Sequence, residues 1–291
     1  MITYTPSWSR TQRELFLNCP TAWARTYAKN NLREKRGFAL NTRPWDLLLR
    51  SLKATIVEQL EALRNGTEWT TRVAESVLRD LFRSKLRTHK LSMAHPQFEA
   101  MLIVANHRMK LLWRTDVMLQ LKRGVHPQWT VLDRMDSEHI EGIDLFASPD
   151  LAIKIQQKWH VIRLDMQSGK MNDSQRLEAL AMIVWTTHRH GLPALAEQYV
   201  VKTIGWRKGA WLLHTFESTE NEVLIAKAMI RHDVKEMKRC AETSKHSFDS
   251  IALAQKQAAC DKCKFKLTCL NGGTLESLKR KRILRLASSS N

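Results

Sequence analysis

The 291-residue sequence contains no run approaching the ~18 apolar residues of a membrane-spanning helix. Its opening, Met1-Ile2-Thr3-Tyr4, does not have the order of a secretory signal. It holds no internal repeat and no low-complexity segment. These absences predict a chain that works away from membranes, in the cytoplasm or an equivalent reducing compartment. Acidic residues are also scarce, with 29 Asp and Glu against 47 Lys and Arg and a formal charge of +18. Such a surplus points to a polyanionic partner, most often nucleic acid. The alternative is a chain that is basic for solubility or that packs against an acidic subunit. At 43% hydrophobic the chain can bury the core of one large domain or two small ones.

A paired-cysteine framework is missing as well. There are five cysteines, and an odd count without a secretory signal argues against structural disulfides. Three of them form Cys260-x2-Cys263-x5-Cys269, a spacing at which thiolates converge on one metal. Lys262, Lys264 and Lys266, set among them, are expected to favour the thiolate form. A fourth ligand is needed. Cys19, a histidine and Cys240 are the candidates, although Cys240 falls in a predicted helix over 221–242 and reads as packing. Thiolate donors suit either zinc or an iron–sulfur centre.

A second candidate site lies in the middle of the chain. Two apolar runs, Leu151 to Ile155 and Trp159 to Leu164, flank the polar break Gln156-Gln157-Lys158 and predict an antiparallel hairpin. A three- or four-residue break sets Asp150 opposite Leu164 or Asp165. Side chains alternate along a strand, so Asp165 and Gln167 share a face that Asp150 can reach from the neighbouring strand. Two converging carboxylates, with a carbonyl such as that of Met166, make a site for a hard cation, Mg²⁺ or Mn²⁺.

Pro149-Asp150, a hairpin and then Asp165-Met166-Gln167 resemble the PD-(D/E)XK nuclease superfamily, whose mark is an acid, a hairpin and acid-x-lysine. Ser9, Cys19-Pro20, Trp23 and Tyr27 resemble the N-terminal signature of the RecB-like branch that carries an iron–sulfur cluster, as in Cas4 and AddB-type nuclease domains. The resemblance implies an α/β (α+β) fold with a central mixed sheet flanked by helices. It implies a 4Fe–4S cluster on Cys19, Cys260, Cys263 and Cys269 that staples the two ends together, with Zn²⁺ as the alternative. It also implies a metal-dependent DNA nuclease, acting as an exonuclease or end-processing enzyme on single-stranded ends. Asp150 and Asp165 would hold the ion, and Gln167 and Gln175 would complete the site. Here Gln167 stands where the family has lysine, the family histidine is absent from 41–46, and Ala179 replaces a tyrosine. Lys170 is the candidate to fold back in place of the lysine. These losses keep open a catalytically inactive, nuclease-derived DNA-binding subunit of a recombination, CRISPR, phage or defence complex. Asp144, in Gly142-Ile143-Asp144-Leu145, competes with Asp150 but leaves more chain than one hairpin needs.

In order, the sequence predicts a helical region over 1–124 carrying Cys19, a nuclease-like core over 125–245, and a cysteine segment with a basic tail over 246–291. Ser9 caps a helix that breaks at Cys19-Pro20. Trp45 to Leu63, Thr71 to Arg87 and Gln97 to Arg123 each read as one amphipathic helix. Strands are expected at Trp129 to Leu132, Ile143 to Phe146, Gln198 to Gly205 and Trp211 to Phe216. Asn172-Asp173-Ser174 should cap a helix running from Gln175 to His188.

Overall fold

The computed structural model describes residues 6–28, 42–167, 172–261 and 263–288. The fold is mixed α/β with two mixed sheets. The chain forms two compact units that interleave along the sequence. One unit takes residues 1–38, 137–147 and 224–291, and the other takes 39–136 and 148–223.

The larger unit is built on a five-stranded sheet of order β2-β5-β6-β7-β8: β2 (Trp129–Val131), β5 (Leu151–Ile155), β6 (Lys158–Asp165), β7 (Tyr199–Arg207) and β8 (Ala210–Glu217). Neighbours are antiparallel except β6 and β7, which are parallel. A parallel pair needs a crossover, and α7 (Asp173–His188) supplies it. From Leu177 to Thr186 α7 is buried on every side, as expected of a helix that sits against a sheet rather than in solvent. Four further helices, α3 (Pro44–Arg64), α4 (Thr71–Thr88), α5 (His95–Leu112) and α6 (Asp116–Lys122), close a second core. Leu48, Leu52, Ile56 and Leu60 of α3 meet Leu151, Ile162, Leu164 and Ile204 of the sheet there.

Two sequence expectations shift in this unit. The expected helix over Gln97 to Arg123 is two helices broken at Trp113-Arg114-Thr115. Thr115 stands at the N-cap position of α6 in extended conformation, with Asp116 in the first turn, where a negative charge favours a helix start. The hairpin turn is only Gln156-Gln157, with Gln156 left-handed at φ +55°. The shorter turn places Asp150 opposite Arg163, not Leu164 or Asp165: the Asp150 N–H donates to the Ile162 carbonyl at 2.8 Å and Leu151 pairs with Ile162.

The other unit holds a three-stranded sheet of order β1-β4-β3, made of β1 (Ser7–Trp8), β4 (Ile143–Leu145) and β3 (Glu138–Ile140). Ser9 caps α1 (Arg10–Asn18) by accepting from the Gln12 N–H. Cys19 then caps α2 (Pro20–Trp23), whose first residue is a proline that has no amide to leave unpaired. Trp8 and Arg13 both donate to Asp233 of α8 (Glu220–His246), at 3.0 and 2.9 Å. Trp23 packs with Met237, Cys240, Ala241 and Ile251. Three short helices follow, α9 (Gln257–Asp261), α10 (Lys266–Leu270) and α11 (Leu275–Ser288). The basic tail is thus helical, and Arg282 pins α11 by donating to the Ile251 carbonyl at 2.7 Å. Among the described residues no helix is long and apolar enough to cross a membrane.

Candidate functional site

The acid site begins with the register. Asp150, Arg163 and Asp165 fall on one face of the sheet by alternation, and Asp150 is 1% exposed. A carboxylate so deep must be compensated, and the chain supplies the compensation itself. Lys53 of α3 sets its ammonium 2.7 Å from Asp150 Oδ1 and 2.8 Å from Oδ2, and donates to the Leu164 carbonyl at 3.1 Å. The Leu164 N–H donates to Oδ2 at 2.7 Å, and Arg163 Nη1 lies 3.9 Å from it. Burial pushes the Asp150 carboxyl up, and the charges of Lys53, Arg163 and Arg134 outweigh it, so its pKa falls below the ordinary carboxylate value. Burial also pushes Lys53 down, and Asp150 only partly offsets this, leaving its pKa at about 8.

The ion pairs continue inward. Arg163 Nη2 lies 3.3 Å from Glu178 of α7, and Arg134 Nη2 lies 4.0 Å from the same carboxylate. Arg163 Nε and Nη1 are buried with no hydrogen-bond partner among the described residues. Arg108 of α5 occupies the third expected metal ligand. Its guanidinium donates to the Met166 carbonyl at 3.3 Å and lies 4.8 Å from the ring centres of both Trp45 and Trp206.

Asp165, at the end of β6, is half-buried. It accepts the Gln167 N–H at 3.1 Å on Oδ1 and the Gln175 amide at 3.5 Å on Oδ2. Gln175 also closes a capping box with Asn172, accepting the Asn172 N–H at 3.0 Å while its own N–H donates to Asn172 Oδ1 at 2.9 Å. The Gln167 side chain is exposed, and Lys170 lies outside the described residues. Asp144 sits on β4 in the other unit, 2.8 Å from His139 Nδ1. The oxygens expected to bind a divalent ion are therefore held by Lys53, Arg108 and amide donors, and the residues do not fit that ion in this arrangement.

The cysteine site lies wholly within the smaller unit. Cys19, Cys260, Cys263 and Cys269 line one cavity of about 20 Å³, together with Arg25 and Phe265. The Ala22 N–H donates to Cys19 Sγ at 3.4 Å, and the Phe265 N–H to Cys263 Sγ at 3.4 Å. The expectation that nearby lysines favour the thiolates is reversed. Burial and the neighbouring sulfurs push Cys260 up, and burial pushes Cys263 up more than the Phe265 amide and Lys264 bring it down. Lys266 instead pairs with Asp261 at 3.2 Å, and Lys262 lies outside the described residues. Cys240, 9% exposed, is pushed up to about 11 by burial and by Cys19, and its thiol faces the Pro20 carbonyl at 3.8 Å. Among the described residues no three His, Cys, Asp or Glu stand ready-made as metal ligands. The donor chemistry nevertheless fits a thiophilic metal: four sulfurs around one cavity, two of them accepting backbone amides. The volume is that of a single ion or water, so a four-iron cluster would have to part the walls.

No protein-family model matches the chain, and no curated protein matches it.

Proposed function

We propose that this chain binds nucleic acid, DNA with single-stranded ends, on a scaffold of the PD-(D/E)XK type whose acid site is closed by internal ion pairs. It acts as a nuclease-derived binding subunit. The carrying observation is the Lys53 ammonium held on both oxygens of Asp150 and on the Leu164 carbonyl. A divalent ion would have to expel that ammonium, at a desolvation cost of several kcal/mol per ion. The net charge of +18 supports a polyanionic partner, held through phosphate contacts that weaken with salt.

The cysteine site supports the iron–sulfur branch of the same resemblance. Cys19, Cys260, Cys263 and Cys269 would hold the group, which when bound would tie the α1–α2 corner to the C-terminal segment. Its small cavity supports zinc instead, and metal content together with visible absorption distinguishes the two.

A working nuclease is the second reading, favoured by Asp165, which stays half-exposed with Gln167 and Gln175 against it. The test is cleavage of end-labelled single- and double-stranded DNA in Mn²⁺, in Mg²⁺ and in chelator, with binding measured in parallel. Salt-sensitive binding without cleavage is the expected result. Metal-dependent cleavage abolished by Asp165→Ala would overturn the binding reading in favour of the enzyme.

A further inference from the structure

We propose that the cavity enclosed by α3, α4, α5 and α6 is a binding site for a nucleotide, taken free or as the terminal nucleotide of a single strand. The proposal is independent of the acid site and of the cysteine site. The cavity measures about 390 Å³, within the ~300–1,000 Å³ range of small-molecule sites. All of its lining residues belong to the larger unit.

Two aromatic rings, Trp69 and Trp113, stand beside Leu63, Met109 and Leu119 in a wall that also carries polar and charged side chains. Both are half-buried, which gives a planar group a face to stack on. Trp113 is fixed by donating its Nε1–H to Gln59 Oε1 at 2.9 Å. That bond also fixes the Gln59 amide. Gln59 is 8% exposed and lines the cavity, yet its amide nitrogen has no hydrogen-bond partner among the described residues. That amide needs an acceptor in the cavity, which water or a ligand provides. The acceptors on a base edge satisfy that need.

The charge at the cavity selects an anion. Lys110 is neutralised by Glu75 at 2.9 Å and Lys122 by Glu68 at 2.5 Å. Arg114, in the break between α5 and α6, is exposed and has no acidic partner among the described residues. One planar guanidinium left over beside two tryptophans matches a phosphate carried on a flat aromatic base. A plain hydrophobic ligand would leave both Gln59 and Arg114 unused.

The experiment is calorimetric titration of the full chain with deoxyadenosine 5′-monophosphate, deoxyadenosine, inorganic phosphate and a 5′-phosphorylated deoxyadenosine trinucleotide. The monophosphate should bind at least about tenfold tighter than either of its parts. Arg114→Glu, at an exposed position, should weaken the monophosphate about tenfold or more and leave the nucleoside unchanged. Ala74→Phe, which fills the cavity from a wall residue, should abolish both, with circular dichroism confirming the fold. Tighter binding of the trinucleotide would assign the site to strand ends, and equal or weaker binding would assign it to free nucleotides. No binding of monophosphate or trinucleotide at about 1 mM, or binding indifferent to Arg114→Glu, would overturn the proposal.

Discussion

The acid site and the cysteine site both gather groups that ligate metals, and they are compensated in opposite ways. At the acid site the chain brings its own cations: Lys53 and Arg163 to Asp150, and Arg108 to the Met166 carbonyl. At the cysteine site burial and the neighbouring sulfurs push the Cys260 thiol up, as burial does that of Cys263. Asp150, which carries its own counter-ions, has less to gain from a divalent cation than Asp165, which accepts amide donors. Thiols must lose their protons to hold a metal, so burial that raises Cys260 and Cys263 makes any metal binding there fall off as the pH is lowered. On the proposed reading, the acid site is occupied by the chain's own cations and the cysteine site is the one left for a metal.

The strongest way to break this contrast is to remove one member of the buried pair. Asp150→Ala leaves Lys53 and Arg163 facing each other without the carboxylate, and should cost about 3–5 kcal/mol in chemical denaturation. Lys53→Met should cost a similar amount, whereas the double replacement Lys53→Met with Asp150→Leu should come close to neutral. Asp165→Ala, at a half-exposed position, should stay within about 1 kcal/mol. If Asp150→Ala is as mild as Asp165→Ala, the acids are not an internal ion pair and the closed-site reading fails.

The next test separates the ligating cysteines from the packing one. Cys19→Ala should lower the affinity for the metal proposed at the cysteine site by ~100-fold or more, about 2.7 kcal/mol. Cys240→Ala should keep the metal and lose only packing. Metal per chain by elemental analysis, with the visible spectrum, reads both. Loss of metal in Cys240→Ala with retention in Cys19→Ala would exchange their roles.

Much of this contrast could be read from the sequence, and the unread parts share a cause. The hairpin, the Cys19-Pro20 break and the Asn172 cap are local patterns, and local patterns survive without tertiary knowledge. The strands Ser7–Trp8 and Glu138–Ile140 are two and three residues long, too short to carry a period to detect; the first exists through pairing with the distant Asp144 and Leu145, and the second pairs with its neighbour across Glu141-Gly142. The register differs by one or two residues because a two-residue turn with a non-glycine residue at positive φ looks like a longer polar break. Lys53 was overlooked although it left a trace. It lies at helical spacing among Leu49, Leu52 and Ile56, a charge on an apolar stripe. Arg163, set between Ile162 and Leu164 in a buried run, carried the same warning. A charge inside an apolar pattern signals an internal ion pair, and its partner is the residue to look for.

A smaller effect tests whether Gln175 serves the site or the fold. Asn172→Ala should cost about 1 kcal/mol through loss of the reciprocal cap on α7. Gln175→Ala should cost about the same, and should leave nucleic-acid affinity unchanged if its contact with Asp165 is incidental. A stable Gln175→Ala variant with weakened binding would return Gln175 to the functional site.

The last effect is a pH slope. Three residues before Arg163 on the same strand, His160 is a base whose opposing charge, Glu217, does not offset its burial. Burial, followed by the charges of Lys202 and His126, lowers its pKa to about 4, with Glu217 opposing and Lys158 adding to the shift. Its Nδ1 is buried with no hydrogen-bond partner among the described residues. Above the unperturbed value of about 6.5 the imidazole is neutral in both folded and unfolded chains and contributes no pH dependence. As the pH falls from there towards 4, the unfolded chain takes up a proton that the folded chain refuses, so stability declines across that window. His160→Gln should flatten this part of the curve without moving the plateau above pH 7, as measured by denaturant midpoints at stepped pH. An unchanged slope would mean that the acid sensitivity arises in carboxylates, and that the sheet tolerates an imidazolium beside Lys202.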